Sequence, residues 1–157
     1  MGVAIAGKEP SPTWPAQYIG LPFQPHGRDR QGLDCWGLVC LVYAEQYDIT
    51  LPRYDGSYGD VTDPAELGQL IEAQRALYLA GGAWRPVEMG LEYLQAGDLM
   101  ILRMMGAPMH CGIAVGPHTM LHIEQGIDAS LADLRQSKWR PRLAPAPYGA
   151  YRHAALD

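Results

Sequence analysis

Gly32-Leu33-Asp34-Cys35-Trp36-Gly37-Leu38-Val39 is the stretch on which the reading of this chain turns. A glycine-bearing loop gives way at Asp34 to an apolar run of helical character that continues to about Tyr47, so a cysteine stands at the head of a helix. A thiol in that place lies among the unpaired N–H groups of the first turn and at the positive end of the helix dipole. Both favour the thiolate, which is the nucleophilic form. Cys35 is therefore a candidate catalytic nucleophile, provided that the chain also supplies a base. Asp34 has two readings of equal weight: it caps the helix, or it meets an amine of a substrate. Trp36 either lines a groove or is simply buried, and Gly37 suits close packing of the helix. Cys40 falls one turn further on, among Leu38, Val39 and Leu41, and belongs to the core.

Two downstream histidines can act as the base. They lie in Met109-His110-Cys111-Gly112-Ile113-Ala114-Val115-Gly116 and in Met120-Leu121-His122-Ile123-Glu124, short apolar segments that read as strands. Gly116-Pro117-His118 between them reads as a turn. A three-residue hairpin loop would pair Val115 with Thr119 and Gly112 with His122. His110, Gly112 and His122 then share one face of the sheet, because side chains alternate with period two. The two imidazoles become diagonal neighbours with backbones roughly 7–8 Å apart. Ile113, Leu121 and Ile123 take the other face, toward a core, and Cys111 points away from His110 into packing. A loop one residue longer or shorter would put the histidines on opposite faces. Gly112 leaves room beside His110 for a substrate, Glu124 shares the histidine face as a further acceptor, and His26, His118 and His153 read as surface or loop residues.

With these residues in view, the chain resembles the NlpC-type cysteine peptidases, papain-like hydrolases of bacterial cell walls. The resemblance rests on the cysteine at a helix start, the strand Gly97-Asp98-Leu99-Met100-Ile101-Leu102, the pattern His110-x-Gly112-Ile113-x-x-Gly116, and a second histidine twelve residues after the first. It runs from about Trp14 to His122. Asp34-Cys35-Trp36-Gly37, with the approach Tyr18-Ile19-Gly20-Leu21-Pro22-Phe23, is most similar to the phage tail branch, which includes the peptidase domain of lambda-like tail assembly proteins. The resemblance implies Cys35 as nucleophile, His110 as general base and His122 as the residue that orients the base. Asp34, Trp36, Phe23 and Gly112 are the candidate substrate-side residues. Phe23 stands where many members carry a tyrosine whose hydroxyl helps hold the oxyanion, and Trp36 where many carry serine. The implied substrate is a peptidoglycan stem peptide, cut at the bond between γ-D-glutamate and a diamino acid, with no cofactor. The implied partners are other tail-tip proteins, and the implied location is the distal tail of a virion assembled in host cytoplasm. A structural tail-tip subunit with little hydrolysis is the alternative.

Composition is consistent with one globular domain. The 157 residues are 48% hydrophobic and 18% charged, with a formal net charge of -5. No Lys/Arg cluster suggests a nucleic-acid or anionic-membrane surface, and no run approaches the roughly 20 apolar residues of a membrane span. The N-terminus lacks the basic region and apolar length of a signal peptide. Three cysteines, Cys35, Cys40 and Cys111, make no disulfide framework. A metal site is a weak competitor, because the ligand-competent Cys and His residues lack Cys-x-x-Cys or His-x3-His spacing.

The expected organisation is a flexible arm over 1–12 and a single domain over 13–157. Within it come a short helix at Trp14–Ile19, a loop from Leu21 to Gly32, the nucleophile helix, and a Tyr/Gly loop at Pro52–Asp60. A second helix is capped by Asp63 and Glu66 and ended by Gly81-Gly82. Strands follow near Trp84–Val87, Leu99–Arg103, Cys111–Val115 and Met120–Glu124. Asp128 caps a short helix through Gln136, and a last strand spans Tyr148–His153. The predicted fold is α+β and papain-like, an antiparallel sheet that carries the histidines, packed against the helix that presents Cys35.

Overall fold

Asp34 starts the helix that organises the molecule. In the structure, a computed structural model that describes residues 10, 12–53, 83–87, 90–104, 107–143 and 149–156, helix α1 spans Cys35–Tyr47. The Asp34 carboxylate accepts the Gly37 N–H at 2.8 Å, which satisfies one of the orphan donors of the first turn. Asp48, in the left-handed region with φ 56°, ends the helix. Ahead of α1, strands β1 (Arg28–Asp29) and β2 (Gly32–Leu33) form a two-stranded hairpin, where the sequence suggested only loop. Arg28 reaches from this hairpin to the Asp34 carboxylate at 2.7 Å, and both side chains are only 3% exposed. Its remaining N–H groups donate to the Arg53 carbonyl beyond the helix. A Cβ on Gly37 would lie 2.0 Å from the Gly27 carbonyl oxygen, so only glycine lets the hairpin lie against the first turn.

The main sheet has six strands in the order β3-β8-β4-β5-β6-β7, every neighbouring pair antiparallel. They are β3 (Trp84–Val87), β4 (Leu99–Met104), β5 (Ala107–Gly116), β6 (Thr119–Glu124), β7 (Ile127–Asp133) and β8 (Gly149–His153). Helix α1 covers one face. Leu38, Val39, Val42 and Tyr43 pack there with Leu99, Ile101, Cys111, Ile113, Leu121 and Ile123. The opposite face carries a second cluster of Leu94, Met100, Leu102, Ala114, Met120, Leu134 and Trp139. Both faces are thus covered, and both strand parities are apolar. Arg152 of β8 forms a two-pronged pair with buried Asp98, at 2.7 and 2.8 Å, and Asp98 also accepts the Gln95 N–H. This pair ties β8 to the residue that leads into β4.

The α+β class, α1 and the four strands expected at β3 to β6 agree with the sequence reading, as does β8. The helix expected from Asp128 to Gln136 does not form. That segment is β7, joined to β6 by a tight turn in which Glu124 pairs with Ile127 and Gly126 takes φ +85°. A positive-φ glycine right after a strand makes a hairpin, and ladder pairing outweighs the helical propensity of the Ala and Leu residues that follow. At the N-terminal side, Trp14–Gln17 is a single 3-10 turn. Most of the expected arm and Tyr/Gly loop, and the whole helix expected after Asp63, lie outside the described residues.

The Arg28–Asp34 pair gives a direct stability test. Removing one partner of a buried pair leaves the other charge uncompensated, at a cost of about 3–5 kcal/mol. Asp34→Ala should lower the unfolding free energy in urea by that order. Asp34→Asn, which keeps an oxygen for the Gly37 N–H, should lose less. A loss below about 1 kcal/mol for the alanine variant would show that the pair does not hold this corner together.

Candidate active site

The hairpin that carries the two histidines reaches the expected alignment by a different route. Its turn holds only Pro117 and His118, with Gly116 paired to Thr119 and His118 at φ 62°. A two-residue turn alone would shift the register by one and separate the histidines. The register slips between Ala114 and Gly116, a bulge at Val115, and Ala114 then pairs with Met120 and Ile113 with Leu121. Bulge and short turn cancel, so His110 and His122 end on one face. His110 Nε2 lies 3.2 Å from His122 Nδ1, with ring centroids 5.5 Å apart and planes at 80°. A second irregularity lies on the other side of His110. Leu102 pairs with His110 but Arg103 with Pro108, which leaves Met109 as the extra residue in β5. Bulges of this kind re-aim a neighbouring side chain.

Cys35 is the first residue of α1 and 8% exposed; His110 and His122 are each 4% exposed. The Cys35 thiol meets Cys111 and His110. A side-chain hydrogen bond with Cys111 lowers the Cys35 pKa well below its ordinary value, and the His110 imidazole and the Cys111 backbone N–H act in the same direction, against burial. Cys111 is raised well above its ordinary value, first by its hydrogen bond to Cys35 and then by burial. The pair therefore stands as Cys35 thiolate and Cys111 thiol. With Nε2 of His110 turned to His122, Nδ1 is the atom that serves Cys35. Nucleophile, base and orienting residue thus follow one another in space.

The pKa of His122 is pushed down to about 4 by burial, by His110 and by the cations Lys138 and Arg142. It stays a neutral imidazole at ordinary pH, able to accept the N–H that His110 presents once protonated. Trp139 stands edge-on to it, with ring centroids 5.2 Å apart at 86°. Lys138 and Arg142 lie over the Trp139 ring at 5.4 and 5.1 Å from its centroid. No short-range signal in Ser137-Lys138-Trp139-Arg140-Pro141-Arg142 marks this role; only the fold brings the segment over His122.

The substrate-side residues fare differently. Asp34 is committed to the helix cap and to Arg28. Trp36 is half-buried and its indole N–H donates to the Pro52 carbonyl at 2.8 Å. Phe23 forms a backbone bridge with Leu33, two residues before Cys35, and packs partly buried against the α1 core. Tyr18 does not replace the missing phenol. Its hydroxyl bonds Glu45 and Gln46, and Glu45 is about 15 Å along the helix from Cys35 at 1.5 Å per residue. The room expected at Gly112 is already filled: a Cβ there would lie 2.5 Å from the Met120 sulfur, so the glycine serves core packing. Cys111 points to the α1 face, away from His110 as expected, but it meets the nucleophile instead of only filling space. Among the described residues Glu124 has no hydrogen bond to either histidine, whose ring nitrogens meet each other. Among the described residues no three His, Cys, Asp or Glu side chains are placed to hold a metal ion.

The model of the NlpC/P60 family matches residues 20–146. The chain belongs to the NlpC/P60 family. It is 21% identical over 127 residues to murein DD-endopeptidase MepS/murein LD-carboxypeptidase of Escherichia coli K12. That match covers 81% of this chain and 55% of the relative, so the chain spans about half the length of the curated relatives it matches. Its fold is similar to an NlpC/P60 family protein from Bacillus cereus ATCC 10987, with TM-score 0.58 and 19% identity over 98% of this chain and 43% of that one. A lipoprotein-like NLP/P60 family protein from Staphylococcus aureus Mu50 gives TM-score 0.56 and 22% identity, over 95% and 44%. The NlpC/p60 domain of the peptidoglycan hydrolase SagA gives 0.50 and 21%, over 77% and 84%.

The neutral state of His122 has a consequence for stability. The unfolded chain binds a proton at the ordinary value of 6.5 and the folded chain only at about 4. Between these values the unfolded state holds more protons, so stability falls as pH drops through that window. His122→Asn keeps an acceptor near the Nδ1 position and does not titrate. Thermal denaturation from pH 7 to 4 should show a smaller loss of Tm in this variant than in the wild type. Parallel curves would show that His122 is not held neutral.

Proposed function

We propose that this NlpC/P60 domain is a cysteine endopeptidase that hydrolyses an amide bond in peptidoglycan stem peptides, the bond between γ-D-glutamate and a diamino acid. The contact chain from Cys35 through His110 to His122 carries the reading, and the family, whose members are cysteine peptidases acting on peptidoglycan, supports the substrate class. The Cys35 thiolate attacks the carbonyl carbon, and the carbonyl oxygen takes the charge. Cys35 heads α1, so its own N–H has no intrahelical acceptor and can donate to that oxyanion. His110, which took the proton of the Cys35 thiol, delivers it to the departing amine, and the acyl-enzyme remains. His110 then takes a proton from water, which attacks the acyl carbon and frees Cys35. His122 accepts the N–H of protonated His110 and holds its ring in place.

Digestion of purified peptidoglycan, with fragments read by mass spectrometry, tests the activity. Wild-type protein should release stem-peptide fragments with a new amino terminus on the diamino acid. Cys35→Ala and His110→Ala should lower the rate by a factor on the order of 1,000 or more. Intact peptidoglycan with wild-type protein would favour the second reading, a structural subunit with a silent site, for which Phe23 at the usual tyrosine position speaks.

The place of action we propose is the distal end of a phage or phage-like tail, beside other tail-tip proteins, after synthesis in host cytoplasm. The support is the resemblance of Asp34-Cys35-Trp36-Gly37 and Tyr18–Phe23 to the tail-assembly branch. Local wall opening there needs only modest turnover. Proteomics of purified particles with immunogold labelling should find the protein at the tail tip. Its absence from mature particles would overturn the placement and leave the hydrolase reading intact.

A further inference from the structure

On the faces of β5 and β6 turned to α1, the buried positions Ile113, Leu121 and Ile123 are branched aliphatics and Cys111 is the exception. Cys111 is 1% exposed, lies on the β5 face that packs against the helix headed by Cys35 and shares one buried cluster with Cys35, while all three cysteines are free. We propose that Cys111 is a resolving thiol: when a hydroperoxide oxidises Cys35, Cys111 captures it as an internal Cys35–Cys111 disulfide that silences the site reversibly.

The chemistry balances with the hydroperoxide as oxidant. The Cys35 thiolate attacks one peroxide oxygen, the O–O bond breaks, and the leaving alkoxide or hydroxide takes a proton to become an alcohol or water. Cys35 is now a sulfenic acid. The Cys111 sulfur then attacks the Cys35 sulfur. The S–O bond breaks, and the hydroxide leaves with the proton of Cys111 as water. Two thiols give up two electrons and the peroxide is reduced.

The surroundings favour each half of this sequence. The helix start, His110 and the Cys111 N–H stabilise the attacking thiolate. The hydrogen bond with Cys35, burial and the Cys35 charge keep Cys111 protonated, and the charge is lost when Cys35 becomes a neutral sulfenic acid. Loss of that charge makes Cys111 easier to deprotonate at the moment it must attack. Cys40 is a poorer partner. It sits five residues down the same helix, and its sulfur lies 3.6 Å from the Pro52 carbonyl oxygen.

The test treats the purified full chain with hydrogen peroxide, blocks residual thiols with N-ethylmaleimide and maps tryptic peptides without reductant. The expected product is a Cys35–Cys111 cross-link with the loss of two hydrogens, reversed by dithiothreitol. Cys40→Ser should give the same cross-link. In Cys111→Ala, shown to be folded by circular dichroism, the same dose should drive Cys35 to sulfinic acid that dithiothreitol does not reverse. Sulfinic acid at Cys35 in the wild type with Cys111 left free, or a Cys35–Cys40 cross-link, would overturn the proposal. Because the product is read by mass, an absence of peptidoglycan hydrolysis would bear on the proposed activity and not on this result.

Discussion

The site depends on one buried carboxylate. Asp34 accepts the Gly37 N–H and pairs with Arg28, and these two bonds decide where α1 begins and which way its first residue faces. Arg28 extends the constraint to both sides, through the Gly27 carbonyl and the Arg53 carbonyl. Gly37 makes the arrangement possible by letting the hairpin backbone come against the helix. A helix start fixed in this way presents Cys35 with the helix dipole and its own N–H aimed at the reacting atoms, at no further cost during reaction. The residue beside the nucleophile thus works chiefly through architecture.

The opposite wall of the site is set by irregularities in the sheet. Regular ladders would place His110 and His122 by loop length alone. Instead the bulge at Val115 compensates for a two-residue turn, and the extra residue at Met109 precedes His110. Bulges add local twist and bend, and they redirect the side chains beside them. Here one restores the histidine alignment and the other lies where His110 must reach the end of a helix packed against the opposite side of its strand.

Charge and burial bias the states of Cys35, Cys111 and His122. Cys111 and His110 favour the Cys35 thiolate. Burial, His110 and the cations Lys138 and Arg142 keep His122 neutral. Trp139 closes this end of the site with its ring edge-on to His122, and it carries Lys138 and Arg142 on its ring. A neutral imidazole next to a base that becomes cationic is the electrostatically favourable order, because two adjacent imidazolium ions would repel.

The sequence by itself determined the elements whose signals are local. Asp34 followed by an apolar run specified α1 to its end at Tyr47, and period-two patterning around His110 and His122 specified the two strands, whereas their shared face rests on the bulge at Val115 that offsets the two-residue turn. What it left open or misjudged needs information from distant segments. Asp34 read equally as a cap or a substrate ligand, and only the position of Arg28 resolves its structural use. Asp128 read as a helix cap because the pairing partner of the following strand, β6, adds ladder energy that no local propensity contains. Gly112 read as room for a substrate, since a missing side chain says nothing of the Met120 that fills the space. Cys111 was correctly turned from His110, yet its meeting with Cys35 depends on how α1 settles on β5. Trp139 reached His122 only through the path of the chain after β7. Side-chain periodicity is written in adjacent residues, whereas contact between elements follows from packing the whole chain, and that is why only the tertiary structure decided those contacts.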